Sequence, residues 1–327
     1  MTMDRRNFFI GAGAAVVGGT AACTAGAREN RTLPPDAVGL LFDSTLCVGC
    51  KACVAACKKA NDMPAETGSA DAPWDMPLDI SGRTLTVIKV YKDGVPEGKD
   101  REHDGYAFIK KSCMHCVDPS CVSACPVKAM TKDERTGVVS YNKDACIGCR
   151  YCVAACPFGV PRFTYDKAIP QISKCQLCKH RWVDGGYAAC AEVCPTGATL
   201  FGKVADIQQE IARRRSLRPG AWTTFPRGRL GGPDQSYPAR VSHYVDHVYG
   251  DKELGGTQMK LLAGVPFEKL GYPKLPDTSF AAQSETVQHA LYGGMLLPIA
   301  FLGVLGWVAK RNVKAEDEFA AGDSDEQ

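Results

Sequence analysis

Within the stretch Cys146-Ile-Gly-Cys149-Arg-Tyr-Cys152-Val-Ala-Ala-Cys156-Pro157, three cysteines fall in seven residues, and a fourth follows with a proline behind it. One tight Cys-x-x-Cys-x-x-Cys loop can set three thiolates on three corners of a 4Fe-4S cube, and the last cysteine of such a run ligates the other cluster where two clusters lie together. The remaining corner of each cube must be filled from elsewhere in the chain, so this spacing predicts clusters in pairs.

The pattern occurs four times. The first copy is Cys47, Cys50, Cys53, Cys57; the second Cys113, Cys116, Cys121, Cys125; the third Cys146, Cys149, Cys152, Cys156; the fourth Cys175, Cys178, Cys190, Cys194. Inserted residues displace the third cysteine in the second and fourth copies. A proline follows the last cysteine in all but the first (Pro126, Pro157, Pro195), where Lys58 stands instead. Sixteen of the 17 cysteines are thereby placed, leaving Cys23 over, and a fourfold repeat of one ligand spacing outweighs any local feature. A disulfide scaffold would use the same thiols, but secreted frameworks do not repeat cluster spacing four times. A zinc ribbon accounts for an isolated Cys-x-x-Cys pair and leaves the third cysteines and trailing prolines unexplained. Covalent haem attachment needs a histidine after the pair. None follows any Cys-x-x-Cys here, Cys47–Lys51 and Cys175–Lys179 included.

Strands and short helices must carry these loops. Leu40–Asp43 is an apolar strand entering the first copy, Thr84–Tyr91 a β-rich strand, and Tyr106–Lys111 a strand delivering the second copy. Ala129–Lys132 and Gly137–Tyr141 flank Asp133–Thr136 as a hairpin between copies two and three. Thr199–Phe201 closes the last copy, and Val204–Arg215 is an amphipathic helix whose terminal arginines complement its dipole. The layout is ferredoxin-like: a strand feeds a cysteine loop and the fourth cysteine is expected to open a short helix. Small residues in Val54-Ala55-Ala56, Val122-Ser123-Ala124 and Val153-Ala154-Ala155 let backbone amides approach the sulfurs. The insertion Lys179–Ala189 reads as a loop over a cluster, and Lys58–Gly82, with three prolines, as a surface loop.

A length of 327 residues favours about two domains. Thirty-nine basic against 36 acidic residues leave a formal charge of +3, which gives no ground for a nucleic-acid partner. No paired carboxylates, nucleophile elbow or phosphate-binding glycine loop stands out, and isolated histidines such as His243 and His247 read as ordinary surface or core residues. The chain therefore offers no catalytic set of its own.

Asp4-Arg5-Arg6-Asn7-Phe8-Phe9-Ile10 followed by the small apolar run Gly11–Ala22 is the layout of a twin-arginine export signal, with Ala25-Gly26-Ala27 as a cleavage site. Such a signal carries folded proteins. It therefore suits a chain whose thiols must be committed to iron before reaching an oxidising compartment. Residues 216–286, rich in Gly, Pro and aromatics, read as an extended arm. Ala290–Ala309 is uncharged and apolar, and at about 1.5 Å per residue it covers the roughly 30 Å hydrocarbon core. Tyr292 and Trp307 sit near its ends, and Lys310, Arg311 and Lys314 follow, placing the C-terminus in the cytoplasm. The acidic stretch Glu316–Gln327 is expected to be disordered.

On these residues the chain resembles the sixteen-cysteine ferredoxin-type subunits of respiratory complexes. It is most similar to HybA-type iron-sulfur subunits of periplasm-facing nickel-iron hydrogenases. The resemblance covers nearly the full length and is carried by Arg5-Arg6-Asn7-Phe8, Asp43-Ser-Thr-Leu-Cys47-Val-Gly-Cys50, Cys113-Met-His-Cys116-Val-Asp-Pro-Ser-Cys121, Tyr249-Gly250, Gly255-Gly256-Thr257-Gln258 and the Pro298-containing span. It implies an α+β fold of two ferredoxin-like dicluster modules with loop insertions over residues 28–215, then the arm, one transmembrane helix over 287–310 and a cytoplasmic tail, 311–327, behind a signal over 1–27. It also implies ligand pairing: Cys47, Cys50, Cys53 with Cys194; Cys57 with Cys175, Cys178, Cys190; Cys113, Cys116, Cys121 with Cys156; Cys125 with Cys146, Cys149, Cys152. The function so implied is non-catalytic electron transfer through four 4Fe-4S clusters, from hydrogenase small and large subunits to an integral membrane subunit that reduces menaquinone or ubiquinone. The C-terminal helix would meet membrane lipid. The related alternative is the beta subunit of a formate dehydrogenase or another molybdoenzyme, which typically lacks a twin-arginine signal.

Overall fold

The computed structural model describes residues 27–66, 76–165, 168, 170–233 and 235–322. The export signal expected over 1–27, with Cys23, lies outside the described residues except for Ala27. The chain divides into two compact units, a body from Glu29 to Ala281 and a unit comprising the two ends.

The body runs β1 (Val38–Asp43), α1 (Ala52–Ala60), β2 (Val87–Lys92), β3 (Gly98–Lys99), β4 (Gly105–Lys111), α2 (Ser120–Ser123), β5 (Met130–Lys132), β6 (Val139–Tyr141), α3 (Tyr151–Ala154), β7 (Arg162–Phe163) and β8 (Ile172–Ser173). It continues with α4 (Ala189–Glu192), β9 (Thr199–Lys203), α5 (Val204–Ser216), β10 (Trp222–Pro226), β11 (Gly228–Arg229), β12 (Ser236–Arg240) and β13 (Met259–Leu262); α6 (Phe280–Gly322) ends the chain's described part. Strands expected before copies one and two, the hairpin between copies two and three, the closing strand and the amphipathic helix are all present. The strand expected from Thr84 starts only at Val87, because Ser81 and Thr84 exchange backbone hydrogen bonds in a tight turn.

A four-stranded sheet in the order β11-β9-β1-β13 divides the body. β1 pairs antiparallel with β9 and parallel with β13. Side chains alternate across a strand, and here the alternation separates two environments. Leu41, Leu200 and Leu262 face α5 and pack with its Ile207 and Ile211. Leu40, Phe42, Phe201 and Leu261 lie on the other side, in one core with Cys47, Cys53, Cys190 and Cys194. The amphipathic helix thus covers one face of the sheet and the first and fourth cysteine loops cover the other.

A buried ionic group ties the helix to the first of those loops. Arg214, fully buried, donates to Asp43 at 2.7 Å and to Glu210 at 2.8 Å, while Tyr244 also donates to Asp43 at 2.8 Å. The other carboxylate oxygen of Asp43 accepts from the backbone N–H of Thr45 at 2.9 Å, fixing the turn that leads to Cys47.

The segment expected as an extended arm is instead part of the body through its residue 279. β10 and β12 form a hairpin, β11 joins β9, and β13 pairs with central β1. Met259, Leu261 and Leu262 are fully buried. This run of four residues has no visible periodicity among its Gly- and Pro-rich neighbours, and its partner strand lies more than 200 residues upstream, so only the folded chain reveals it.

Beyond the body, Phe280–Lys310 is a helix long and apolar enough to cross a membrane. Its Leu291, Leu296, Ile299 and Leu302 are exposed, and Pro298 lies inside it. The helix continues to Gly322, over part of the acidic stretch for which disorder is expected. In the same unit Arg28 pairs with Glu285 at 2.7 Å.

Candidate iron-sulfur cluster sites

The four cysteine loops share one backbone device. The residue before the second cysteine is left-handed in each: Gly49 (φ 70°), His115 (φ 48°), Gly148 (φ 73°) and Leu177 (φ 51°). Two copies use glycine, which reaches this region without steric cost. In the other two the surroundings hold the turn. Leu177 is buried at 1 % exposure, and His115, also at 1 %, accepts the Val139 N–H on Nδ1 at 3.1 Å. Burial, reinforced by Lys174 and Lys132, keeps the His115 imidazole well below its ordinary pKa and therefore neutral. Sequence spacing alone did not single out His115 or Leu177. At Gly49 the demand is also spatial: a Cβ there would lie 2.4 Å from the Phe108 ring.

The trailing prolines explain helix lengths. α2, α3 and α4 are four residues each, and the last cysteine, expected to open a helix, instead follows each one after a single capping residue, with its proline next. Proline lacks an N–H and disfavours helical geometry in the residue before it. With Lys58 in that place, α1 continues to Ala60. The Lys58 ammonium then donates to Arg83 O at 2.8 Å and Thr84 Oγ1 at 2.7 Å, anchoring the neighbouring loop.

A distant string clamps the second loop. Val117 N–H donates to Gly256 O, Gln258 N–H to His115 O and Met259 N–H to Met114 O, at 2.9 to 3.1 Å. The Gln258 side chain reaches Val38 O at 2.6 Å and Thr136 O at 2.8 Å, joining β1 to the β5–β6 hairpin. Gly255-Gly256-Thr257-Gln258 therefore serves as a backbone template for Cys113-Met-His-Cys116.

The fold gathers cysteines from different copies. Cys57, Cys175, Cys178 and Cys190 line one cavity. Cys47, Cys50, Cys53 and Cys194 line a second, and Cys125, Cys146, Cys149 and Cys152 a third. Cys116 is in electrostatic contact with Cys156, Cys121 and Cys113. The groups also reach one another: Cys53 senses Cys190, Cys175 senses Cys113, and Cys121 senses Cys152.

All sixteen described cysteines are free thiols, and only Cys50 and Cys149 are exposed. Burial, reinforced by neighbouring cysteines, pushes the Cys53 and Cys175 thiols up to about 12 and the Cys152 thiol to about 11. Thiolates gathered in such an interior need a cation among them, and binding one releases their protons. Hydrogen bonds to sulfur are already in place: Leu177 N–H to Cys175, Met130 N–H to Cys125 and Thr199 N–H to Cys194, each at 3.4 Å. Among the described residues no three of His, Cys, Asp or Glu converge closely enough for a single metal ion. The thiols instead line three pockets in groups of four, the number of thiolates a four-iron cluster takes. The donor set fits 4Fe-4S clusters, which thiolates hold and whose potentials N–H···S bonds tune.

The 4Fe-4S dicluster domain family matches residues 105–204, from β4 through all of copies two, three and four. The hydrogenase-2 operon protein HybA of Escherichia coli O157:H7 is 45% identical over 99% of this chain and 100% of its own length. The chain belongs to the HybA family. The nitrate-inducible formate dehydrogenase iron-sulfur subunit of Escherichia coli K12 is more distant, 33% identical over 83% of this chain and 82% of its own. Protein NrfC of the same strain is 36% identical over 67% of this chain. As a HybA-family member the protein carries a ferredoxin-type dicluster domain and binds iron-sulfur clusters, on a mixed α/β fold with one apolar C-terminal helix.

Proposed function

We propose that this HybA-family chain is the electron-transfer subunit of a periplasm-facing, quinone-linked nickel-iron hydrogenase. It holds four 4Fe-4S clusters and catalyses no bond chemistry itself. The ligand sets are Cys47/Cys50/Cys53/Cys194, Cys57/Cys175/Cys178/Cys190, Cys113/Cys116/Cys121/Cys156 and Cys125/Cys146/Cys149/Cys152, arranged as two dicluster modules. Electrons from hydrogen oxidation in the partner hydrogenase subunits hop along them to an integral membrane subunit that reduces quinone. Iron in each cluster supplies the one-electron chemistry. The protein's part is to hold the sulfurs, exclude water and keep neighbouring clusters close, since tunnelling falls steeply with distance.

The observation that carries this reading is the row of cysteine groups. Electrostatic coupling of Cys53 to Cys190, of Cys175 to Cys113 and of Cys121 to Cys152 supports an order from the Cys47 set through the Cys57 and Cys113 sets to the Cys125 set. The two end sets each contain the exposed cysteine, Cys50 or Cys149, with exposed Val48 beside one and exposed Ile147 and Tyr151 beside the other. Electrons can therefore enter at one end and leave at the other. Periplasmic placement rests on the twin-arginine sequence and on Lys310, Arg311 and Lys314 after the apolar helix, which anchors the body to the membrane.

Purification from membranes in mild detergent, with metal analysis of the co-eluting complex, tests this. About sixteen iron atoms per chain in excess of the partners' own, with nickel, is the expected result. Molybdenum in place of nickel would transfer the protein to the formate dehydrogenase type, and a protein without iron or inorganic sulfide would end the reading.

A further inference from the structure

Two lysines lie at the junctions between these cysteine groups. Lys110 is 0 % exposed and Lys174 1 %, whereas lysine is almost never fully buried unless paired. Among the described residues neither makes a salt bridge to a carboxylate. Taking an ammonium out of water is unfavourable unless a negative partner compensates it. The partners available are the thiolates.

Lys110 comes from β4 and lines the cavity of Cys57, Cys175, Cys178 and Cys190. Its ammonium lies 3.5 Å from Thr199 Oγ1, and Thr199 lines the neighbouring cavity of Cys47, Cys50, Cys53 and Cys194. Lys174 immediately precedes Cys175. Its ammonium lies 3.7 Å from the Cys113 sulfur and donates to Cys175 O at 2.8 Å and to Val139 O. One lysine therefore stands between the first and second groups of the row, and the other between the second and third. The fourth group is different. Its cavity is lined by Arg150, whose guanidinium sits over the Tyr165 ring at 5.0 Å, and its Cys149 is open to solvent.

We infer that Lys110 and Lys174 are fixed positive charges that raise the reduction potentials of the clusters flanking them. Both act on the cluster of Cys57, Cys175, Cys178 and Cys190. This inference rests on the four-cluster reading above. Reducing a cluster adds one electron and thus one negative charge, and an ammonium in a low-dielectric interior stabilises the reduced state more than the oxidised one. The same charge screens the repulsion between two adjacent clusters that are both reduced. Lys110 and Lys174 are thus positioning residues for charge, and they bind no iron.

The test is a redox titration of the full chain in its purified membrane complex, followed by electron paramagnetic resonance, with iron content measured alongside. Cysteine-to-serine changes within each group assign the signals. Lys174→Met is expected to make reduction of the Cys57-set and Cys113-set clusters at least tenfold less favourable, which is about 59 mV for one electron, and to leave the Cys125-set cluster unmoved. Lys110→Met is expected to shift the Cys47-set and Cys57-set clusters and spare the other two, and arginine at either position to restore the native values. Unchanged potentials with iron retained, an equal shift of all four clusters, or arginine variants as shifted as the methionine ones would each overturn the inference. If a methionine variant loses iron, glutamine at that position removes the charge while keeping a donor, and is judged by the same outcomes. A native protein lacking iron would defeat the cluster reading itself, an outcome separate from any of these.

Discussion

Gly49 and Gly148 occupy the same place in two cysteine loops and differ in what surrounds them. Both are left-handed, at φ 70° and 73°. An alanine at either position bears the left-handed cost of about 1–2 kcal/mol. At Gly148 a Cβ would meet nothing within 4 Å, whereas at Gly49 it would lie 2.4 and 2.6 Å from two ring carbons of Phe108. Phe108 is 7 % exposed and cannot swing into solvent, so overpacking adds about 1–3 kcal/mol there. Gly148→Ala should therefore destabilise its loop by about 1–2 kcal/mol and Gly49→Ala by about 2–5 kcal/mol. If loop opening limits cluster loss, the difference makes Gly49→Ala faster by roughly 5- to 150-fold. Bleaching of the visible iron-sulfur absorption under chelator, at fixed temperature, measures both rates. Phe108→Leu in the Gly49→Ala background should recover much of the loss, since the two sites are in contact and couple. Equal rates for the two alanine variants, or no relief from Phe108→Leu, would show that the ring is not what confines the first loop.

The remaining expectations concern other parts of the chain. Arg214→Met strands Asp43 without its buried partner and should cost about 3–5 kcal/mol, read as a lowered thermal midpoint; Asp43→Asn in the same chain should cost less than the sum. Burial opposes ionisation of Glu210, but Arg213 and Arg214 hold its carboxyl below the ordinary value. Its stabilising contribution is thus present above the unfolded carboxyl's pKa and is lost as pH falls through the lowered one, a dependence that Arg214→Met should weaken in acid unfolding curves. Cys152→Ser should remove or alter one cluster, lowering iron by about four atoms per chain and slowing hydrogen-dependent quinone reduction; unchanged iron would count against its ligand role. Ending the chain after Ala281, in cells that lack the partner hydrogenase and membrane subunits, should move the iron-bearing body from the membrane to the soluble fraction, and retention on membranes there would deny the apolar helix its anchoring role.

The cysteine spacing was legible because three thiolates on one loop are a matter of local covalent reach, and so were the strands and the amphipathic helix, whose periodicities are local too. Even the length of α1 follows from one residue, the lysine at 58 where the other copies have proline. The tertiary structure alone decided which distant cysteines share a cavity, since Cys194 meets Cys47 only after β9 has paired with β1. It also decided that residues 216–279 belong to the body, because β13 finds its partner across the whole ligand region, and that Gly256 to Met259 hold the second cysteine loop by backbone hydrogen bonds that no side-chain pattern encodes. The burial of Lys110 and Lys174 belongs to the same class: a lysine reads as a surface residue until the chain closes around it, and what it then does depends on the negative charge gathered beside it.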